Sequence, residues 1–149
     1  MKKILSKIQL LALDTNIVAY YLNRLSSFYP LSVKLFEYII KKDISMVTSI
    51  LTLTELLSLK APEPMMKVLE NEFFSISKLE VQEVDRMIAV KAAKIRRKYG
   101  FKLPDAIQLA TALSAKARVF ITNDQHMKNF KELKIVPLAS FSKLSTKAS

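Results

Sequence analysis

The sequence predicts an α/β domain built on a mainly parallel sheet. Three observations carry that prediction. Short apolar, β-branched runs alternate with segments of helical periodicity along the chain, the pattern of strand–helix–strand units. Four acids, Asp14, Glu55, Asp105 and Asp124, each stand where a strand-like run hands over to a helix or near a helix start. The length of 149 residues suits one domain spanning 1–149, and half the residues are apolar, enough to bury a core without staples.

The elements follow in order. Ile8–Leu13 reads as a buried strand, and Asp14-Thr15-Asn16 are good helix-start residues for a short helix over Ile17–Leu25. Ser26, Ser27 and Pro30 mark a loop before an amphipathic helix, Leu31–Lys41, with Val33, Phe36, Ile39 and Ile40 inward. Ile44–Val47 is a short strand, Thr48/Ser49 a cap, and Ile50–Leu59 a helix. Pro62 and Pro64 break the chain ahead of a helix over Met65–Phe73. Ser75–Ser77 is read as a strand and Val81–Tyr99 as a long helix closed by Gly100. Pro104 suits the first helical position of a helix reaching about Lys116. Val119–Thr122 is a strand, Asp124 caps a short helix, and Ile135–Leu138 is a last strand. The final segment, FSKLSTKAS, is expected to fray. No repeat or domain linker interrupts this order.

Composition removes several chemistries. There is no cysteine, so disulfides, thiolate metal sites and cysteine nucleophiles are excluded, in keeping with a reducing cytoplasm. One histidine, His126, excludes a multi-histidine metal site within the chain, and one glycine, Gly100, excludes glycine-rich phosphate loops. The apolar stretch from Ile8 to Leu22 is broken by Asp14 and Asn16, so no membrane span or signal peptide is expected. The net charge of +11 favours polyanionic partners, although charge of this size also serves solubility.

Topology should bring the four acids together. In open parallel sheets ligands bind beyond the carboxyl ends of the strands. Asp14 ends the first strand, Asp124 follows Val119–Thr122, Glu55 lies in the helix after Ile44–Val47, and Asp105 begins the helix leading back into Val119. Carboxylates held close need a counter-charge, and Mg²⁺ or Mn²⁺ with its preference for oxygen ligands supplies one. Such an ion acidifies a bound water and stabilises charge on a phosphoryl oxygen. Singly, Asp14, Asp105 and Asp124 also suit plain capping roles. Glu55 does not, because its helix neighbours Leu51, Thr52, Ser58 and Leu59 are not a charged face.

The segments LALDTN (11–16), TELL (54–57), LPDAIQLATAL (103–113) and ITNDQHMKNF (121–130) resemble, in order and spacing, the signatures of PIN-domain ribonucleases. The resemblance covers about Leu11 to Leu138, and the short chain is most similar to VapC-type toxins of toxin–antitoxin pairs. It implies a three-layer α/β/α sandwich and a Mg²⁺- or Mn²⁺-dependent endoribonuclease. By position it makes Asp14, Glu55, Asp105 and Asp124 the catalytic metal ligands, with Asn16, Thr122 and Asn123 as supporting residues. It further implies a homodimer and an antitoxin whose tail enters the active-site groove. One departure is that Ala115-Lys116-Ala117-Arg118 fills a turn where many members carry glycine.

An RNA backbone would need cations. Lys91, Lys94 and Lys98 share a helix face with Arg96 and Arg97 beside them, and Lys102, Lys128 and Lys131 flank the motifs. A solvated face is the plainer reading of each. Tyr20, Tyr21, Phe28 and Tyr29 suit base stacking, a dimer surface or core packing, and His126 suits a phosphate contact or simple exposure. Rival functions are a non-catalytic RNA- or protein-binding module of the same fold, a housekeeping RNA-processing nuclease, and a DNA-directed nuclease of related fold.

Overall fold

Period-two alternation within each strand divides the apolar residues between two cores. Leu11, Leu13, Met46, Val119, Ile121 and Val136 face one way, while Ala12, Val47 and Phe120 face the other. A strand buried on both faces must lie between two layers of helices. The computed structural model, which describes residues 2–144 with side chains from Ile4 to Ser142, has that arrangement.

The elements are α1 (Lys2–Leu5), β1 (Leu10–Leu13), α2 (Thr15–Leu22), α3 (Tyr29–Lys41), β2 (Ser45–Ser49), α4 (Leu51–Leu57) and α5 (Glu63–Phe74). They continue with β3 (Leu79–Gln82), α6 (Arg86–Tyr99), α7 (Leu103–Ser114), β4 (Val119–Thr122), a 3₁₀ turn (Gln125–Asn129), β5 (Lys134–Pro137) and a 3₁₀ segment (Leu138–Leu144). The sheet order is β3-β2-β1-β4-β5 and every pairing is parallel. Residues of α2, α3, α4 and α5 join the first core, with Phe36, Phe73 and Phe141 fully buried there. Helices α6 and α7 cover the opposite face around Ile88, Leu109, Phe120 and Phe130. The chain leaves central strand β1 toward β2 and later returns to its other side as β4. That reversal opens a crevice beyond the carboxyl ends of β1 and β4.

Several expected boundaries move. The expected strand at Ser75–Ser77 is instead the end of α5, because the Ser75 amide donates to the Asn71 and Glu72 carbonyls. The strand lies at Leu79–Gln82, inside part of the expected long helix. Its alternation of Leu79 and Val81 with polar neighbours is the strand signal. Helix α6 starts only at Arg86, where the Asp85 carboxylate accepts the Ile88 amide at 2.8 Å. Helix α2 begins two residues before its expected start and stops at Leu22, since Asp14 caps it. Ile40 of α3 is exposed, and Leu35 takes an inward place instead. Thr48 belongs to β2 rather than a cap, whereas the Ser49 hydroxyl does accept the Leu51 amide. Phe141, the first residue of the segment expected to fray, has a fully buried ring, and residues 145–149 lie outside the described part.

The turn between α7 and β4 explains the missing glycine. The Lys116 amide donates to the Leu113 carbonyl and the Ala117 amide to the Ala112 carbonyl, both at 3.0 Å. This is a Schellman ending, and it requires the left-handed conformation that Lys116 adopts at φ 64°. A side chain there costs about 1–2 kcal/mol that glycine avoids, partly offset by the greater freedom of glycine in the unfolded chain. Lys116→Gly should therefore stabilise the protein by about 0.5–1 kcal/mol, read as a higher urea midpoint at unchanged slope.

Candidate functional site

Asp14 is the most constrained of the acids. It is only 6% exposed, and it caps α2 by accepting the Thr15 amide at 2.9 Å on Oδ1. The buried Thr122 hydroxyl, at the end of β4, donates to Oδ2 at 2.7 Å. The same Thr122 oxygen accepts the Asp124 amide at 3.0 Å, so one hydroxyl ties the ends of β1 and β4 together. Asp124 in turn caps the 3₁₀ turn by accepting the His126 amide.

Asp105 sits half-buried in the first turn of α7, and its carboxylate makes no hydrogen bond among the described residues. Glu55 stands on an exposed part of α4, one turn in, and accepts a hydrogen bond from the Thr15 hydroxyl at 2.9 Å. That bond supplies the partner an ionised glutamate requires. The helix face is nonetheless more solvated than expected, since Leu59 is 64% exposed.

The four acids feel one another. Burial, with the Asp105 and Glu55 charges adding to it, pushes the Asp14 carboxyl up to about 6, although the Thr122 and Thr15 hydrogen bonds oppose the rise. Asp105 is also raised, by burial first and then by the Asp124 and Glu55 charges, while Lys102 and His126 pull it down. Nearby carboxylates that resist ionising together present an all-oxygen, anionic donor set, which suits Mg²⁺ or Mn²⁺. Among the described residues, no three acidic side chains stand close enough to enclose an ion in their present positions.

Of the other expected residues, Thr122 is at the acids. Asn123 is turned away, its amide donating to the Tyr20 hydroxyl at 3.3 Å. The Asn16 side chain is exposed and unbonded among the described residues. Lys91, Lys94, Arg97 and Lys98 are exposed on α6, and Lys102 and Lys128 are exposed beside Asp105 and Asp124 in sequence. Arg96 is partly engaged, donating to the Phe101 carbonyl. His126 is exposed yet near enough to act on Asp105. Tyr20 stacks on Phe28 at 4.6 Å and Tyr21 on Phe36 at 4.0 Å, so core packing accounts for Tyr20 and Tyr21, while Phe28 is exposed.

Composition gave no warning of a buried polar cluster behind Glu55, formed by Thr15, Thr48, Thr52 and Gln108. The available signal was a glutamine inside the apolar run of α7, one turn after Asp105 and on the same face. Beside the site, an apolar groove of about 620 Å³ runs between α2, α4 and α5, lined by Leu22, Leu56, Leu59, Met65, Val68 and Leu69 among others.

The family model for the PIN domain matches residues 11–133. The chain belongs to the PIN-domain family. Solved structures share the fold. The VapBC2 structure from Rickettsia felis, bound to a promoter DNA fragment, superposes at a TM-score of 0.70 with 18% identity, covering 86% of this chain and 98% of that one. DNA-bound VapBC from Salmonella typhimurium gives 0.68 with 22% identity, covering 88% and 99%. The sarcin–ricin loop cleaving toxin VapC20 of Mycobacterium tuberculosis gives 0.64 with 14% identity, covering 83% and 98%. At these identities the likeness is one of fold. No curated protein sequence matches. Among the described residues of this PIN domain no helix is long and apolar enough to cross a membrane.

The raised Asp14 carboxyl sets a pH dependence. Between its ordinary value of 3.8 and about 6, Asp14 holds a proton in the folded protein that the unfolded chain releases. Its contribution to stability therefore declines as pH rises through that window, and the penalty persists above it. Asp14→Asn does not titrate. The stability of metal-free wild type relative to this variant should fall by up to about 3 kcal/mol from pH ~4 to pH ~7. Urea unfolding in EDTA measures the difference, and a flat difference would contradict the assignment.

Proposed function

We propose that this PIN domain is a Mg²⁺- or Mn²⁺-dependent endoribonuclease, the toxin of a toxin–antitoxin pair. The observation that supports the reading is the electrostatic coupling of Asp14, Glu55, Asp105 and Asp124 near the crevice beyond β1 and β4, where burial first and their repulsion second raise Asp14 and Asp105. Such a site in a chain of net charge +11 suits a polyanionic substrate approaching a cation.

Asp14, Asp105 and Asp124 would hold the ion, with Glu55 completing the set. When bound, the ion acidifies a water and stabilises charge on the phosphoryl oxygen. The protein supplies the rest. Thr122 holds the Asp14 carboxylate against the end of β4, and Thr15 holds Glu55 across the crevice. Lys102 places positive charge beside Asp105, where a phosphate would arrive. In-line attack of water would leave a 5′-phosphate and a 3′-hydroxyl.

Exposed Lys91, Lys94, Arg97 and Lys98 on α6 extend this cationic surface, and Lys128 adds to it beyond Asp124. The toxin reading draws support from the fold neighbours, two of which are VapBC complexes on DNA and one a toxin that cleaves the sarcin–ricin loop. The apolar groove between α2, α4 and α5 is our candidate seat for an antitoxin segment, because it exposes Leu59, Met65 and Val68 next to the helix that carries Glu55.

Purified protein should cleave a mixed RNA pool with Mg²⁺ or Mn²⁺ and not with EDTA, and Asp105→Asn should lose cleavage by at least about a hundredfold while remaining folded. RNA binding that is indifferent to that substitution, without cleavage, would favour the non-catalytic module. In the same Asp105→Asn protein, RNA affinity should fall steeply with added salt, and a salt-independent isotherm would remove the α6 cations from the interface.

A further inference from the structure

The shortest contacts of the polar cluster behind Glu55 define an arrangement of protons, with the Thr48 hydroxyl nearer the Leu13 carbonyl (3.0 Å) than the Gln108 oxygen (3.5 Å). The Gln108 side-chain oxygen faces the Ser49 amide at 3.3 Å. A backbone N–H can only donate, so this contact fixes which end of the side-chain amide is oxygen. Gln108 Nε2 then points into the cluster, 3.0 Å from the Thr15 hydroxyl oxygen and 2.8 Å from that of Thr52. The Thr48 hydroxyl donates to the Leu13 carbonyl at 3.0 Å, so its 2.8 Å contact with Thr52 is donated by Thr52. With the Thr52 proton engaged there, Thr52 has none for Thr15, although the two oxygens lie 3.1 Å apart. The Thr15 proton goes to Glu55 at 2.9 Å, a charged acceptor that outcompetes a neutral hydroxyl.

We infer that Gln108 is a positioning residue for the acid site: it donates to the Thr15 hydroxyl oxygen and so holds the Thr15 proton on Glu55. The inference rests on the proposed metal-dependent nuclease for its functional meaning. Its structural basis is separate. Glu55 is the one acid of the four on an exposed helix face, and Thr15 is its hydrogen-bond partner among the described residues. Thr15 and Gln108 are both buried, and no buried polar side-chain atom lacks a partner among the described residues. Gln108 therefore has no slack. Removing its amide leaves both the Thr15 and the Thr52 oxygens without their donor, so the Thr52 oxygen then competes with Glu55 for the Thr15 proton. Gln108 also lies one turn after Asp105 on α7, so one helix face both presents an acid and sets the posture of another.

The test is a double-mutant cycle in Gln108→Met and Thr15→Val, with Thr52→Val as a control that alters the same cluster without removing the Glu55 donor. Mn²⁺ affinity is measured by calorimetry on metal-free protein, and kcat and KM for RNA cleavage are measured separately. Gln108→Met and Thr15→Val should each weaken Mn²⁺ binding by about tenfold or more, and the double variant should be no worse than either alone. Thr15→Ser, which keeps the hydroxyl, should restore affinity to within about threefold of wild type. Cleavage should lose kcat rather than gain KM. Additive losses, an equal loss in Thr52→Val, or unchanged Mn²⁺ affinity in Gln108→Met would each overturn the inference. If Gln108→Met does not fold, the contrast between Thr15→Val and Thr15→Ser decides, and equal affinities of those two overturn it. Absence of cleavage in the wild type, with the Mn²⁺ cycle behaving as described, would overturn the nuclease reading and leave the positioning role standing.

Discussion

A single buried carboxylate organises the site end of this protein. Asp14 terminates the central strand, caps α2 and receives the Thr122 hydroxyl from the neighbouring strand. An ionised group in that position is costly without a counter-charge, which is why its carboxyl is pushed up to about 6. The fold tolerates the cost because the surrounding hydrogen bonds are complete. A bound cation would relieve the same cost, so the feature least favourable to the metal-free fold is the one most useful to the proposed chemistry.

The sheet places this carboxylate without special devices. Five parallel strands require returning helices, and returning helices begin at the carboxyl edge. That geometry brings Asp105 from α7 beside Asp14 and Asp124 from distant parts of the chain. Glu55 differs. It lies beyond the first turn of its helix, and a separate polar cluster, buried between α4, α7 and the sheet, controls where it points.

Much of this was legible before any coordinates. LLAL and VFIT are strands because their residues are apolar at both parities, and the acids that follow them are positioned by topology alone. Gly100 was recognisable as a helix end and adopts φ 74° as such an end requires. Strand β3 was missed, because its alternation spans only four residues and runs straight into the helical pattern that follows. Asn16 and Asn123 sit beside acids in sequence yet point elsewhere, since neighbours along a helix or turn do not share a face. Gln108 stands out only as a polar residue inside an apolar run, and Thr52 not at all, because a buried hydrogen-bond partner is a property of two distant segments.

The placement of Gln108 one turn from Asp105 bears on how the crevice can deform. Asp14, Thr122 and Asp124 are carried by adjacent strands locked by parallel ladder bonds. Asp105 and the amide that reaches Thr15 and Thr52 are carried by α7, packed on α6 and on the sheet. Glu55 stays on α4 and is tied to α7 through Thr15. A small rotation of α7 about its own axis would shift one carboxylate and loosen another at the same instant.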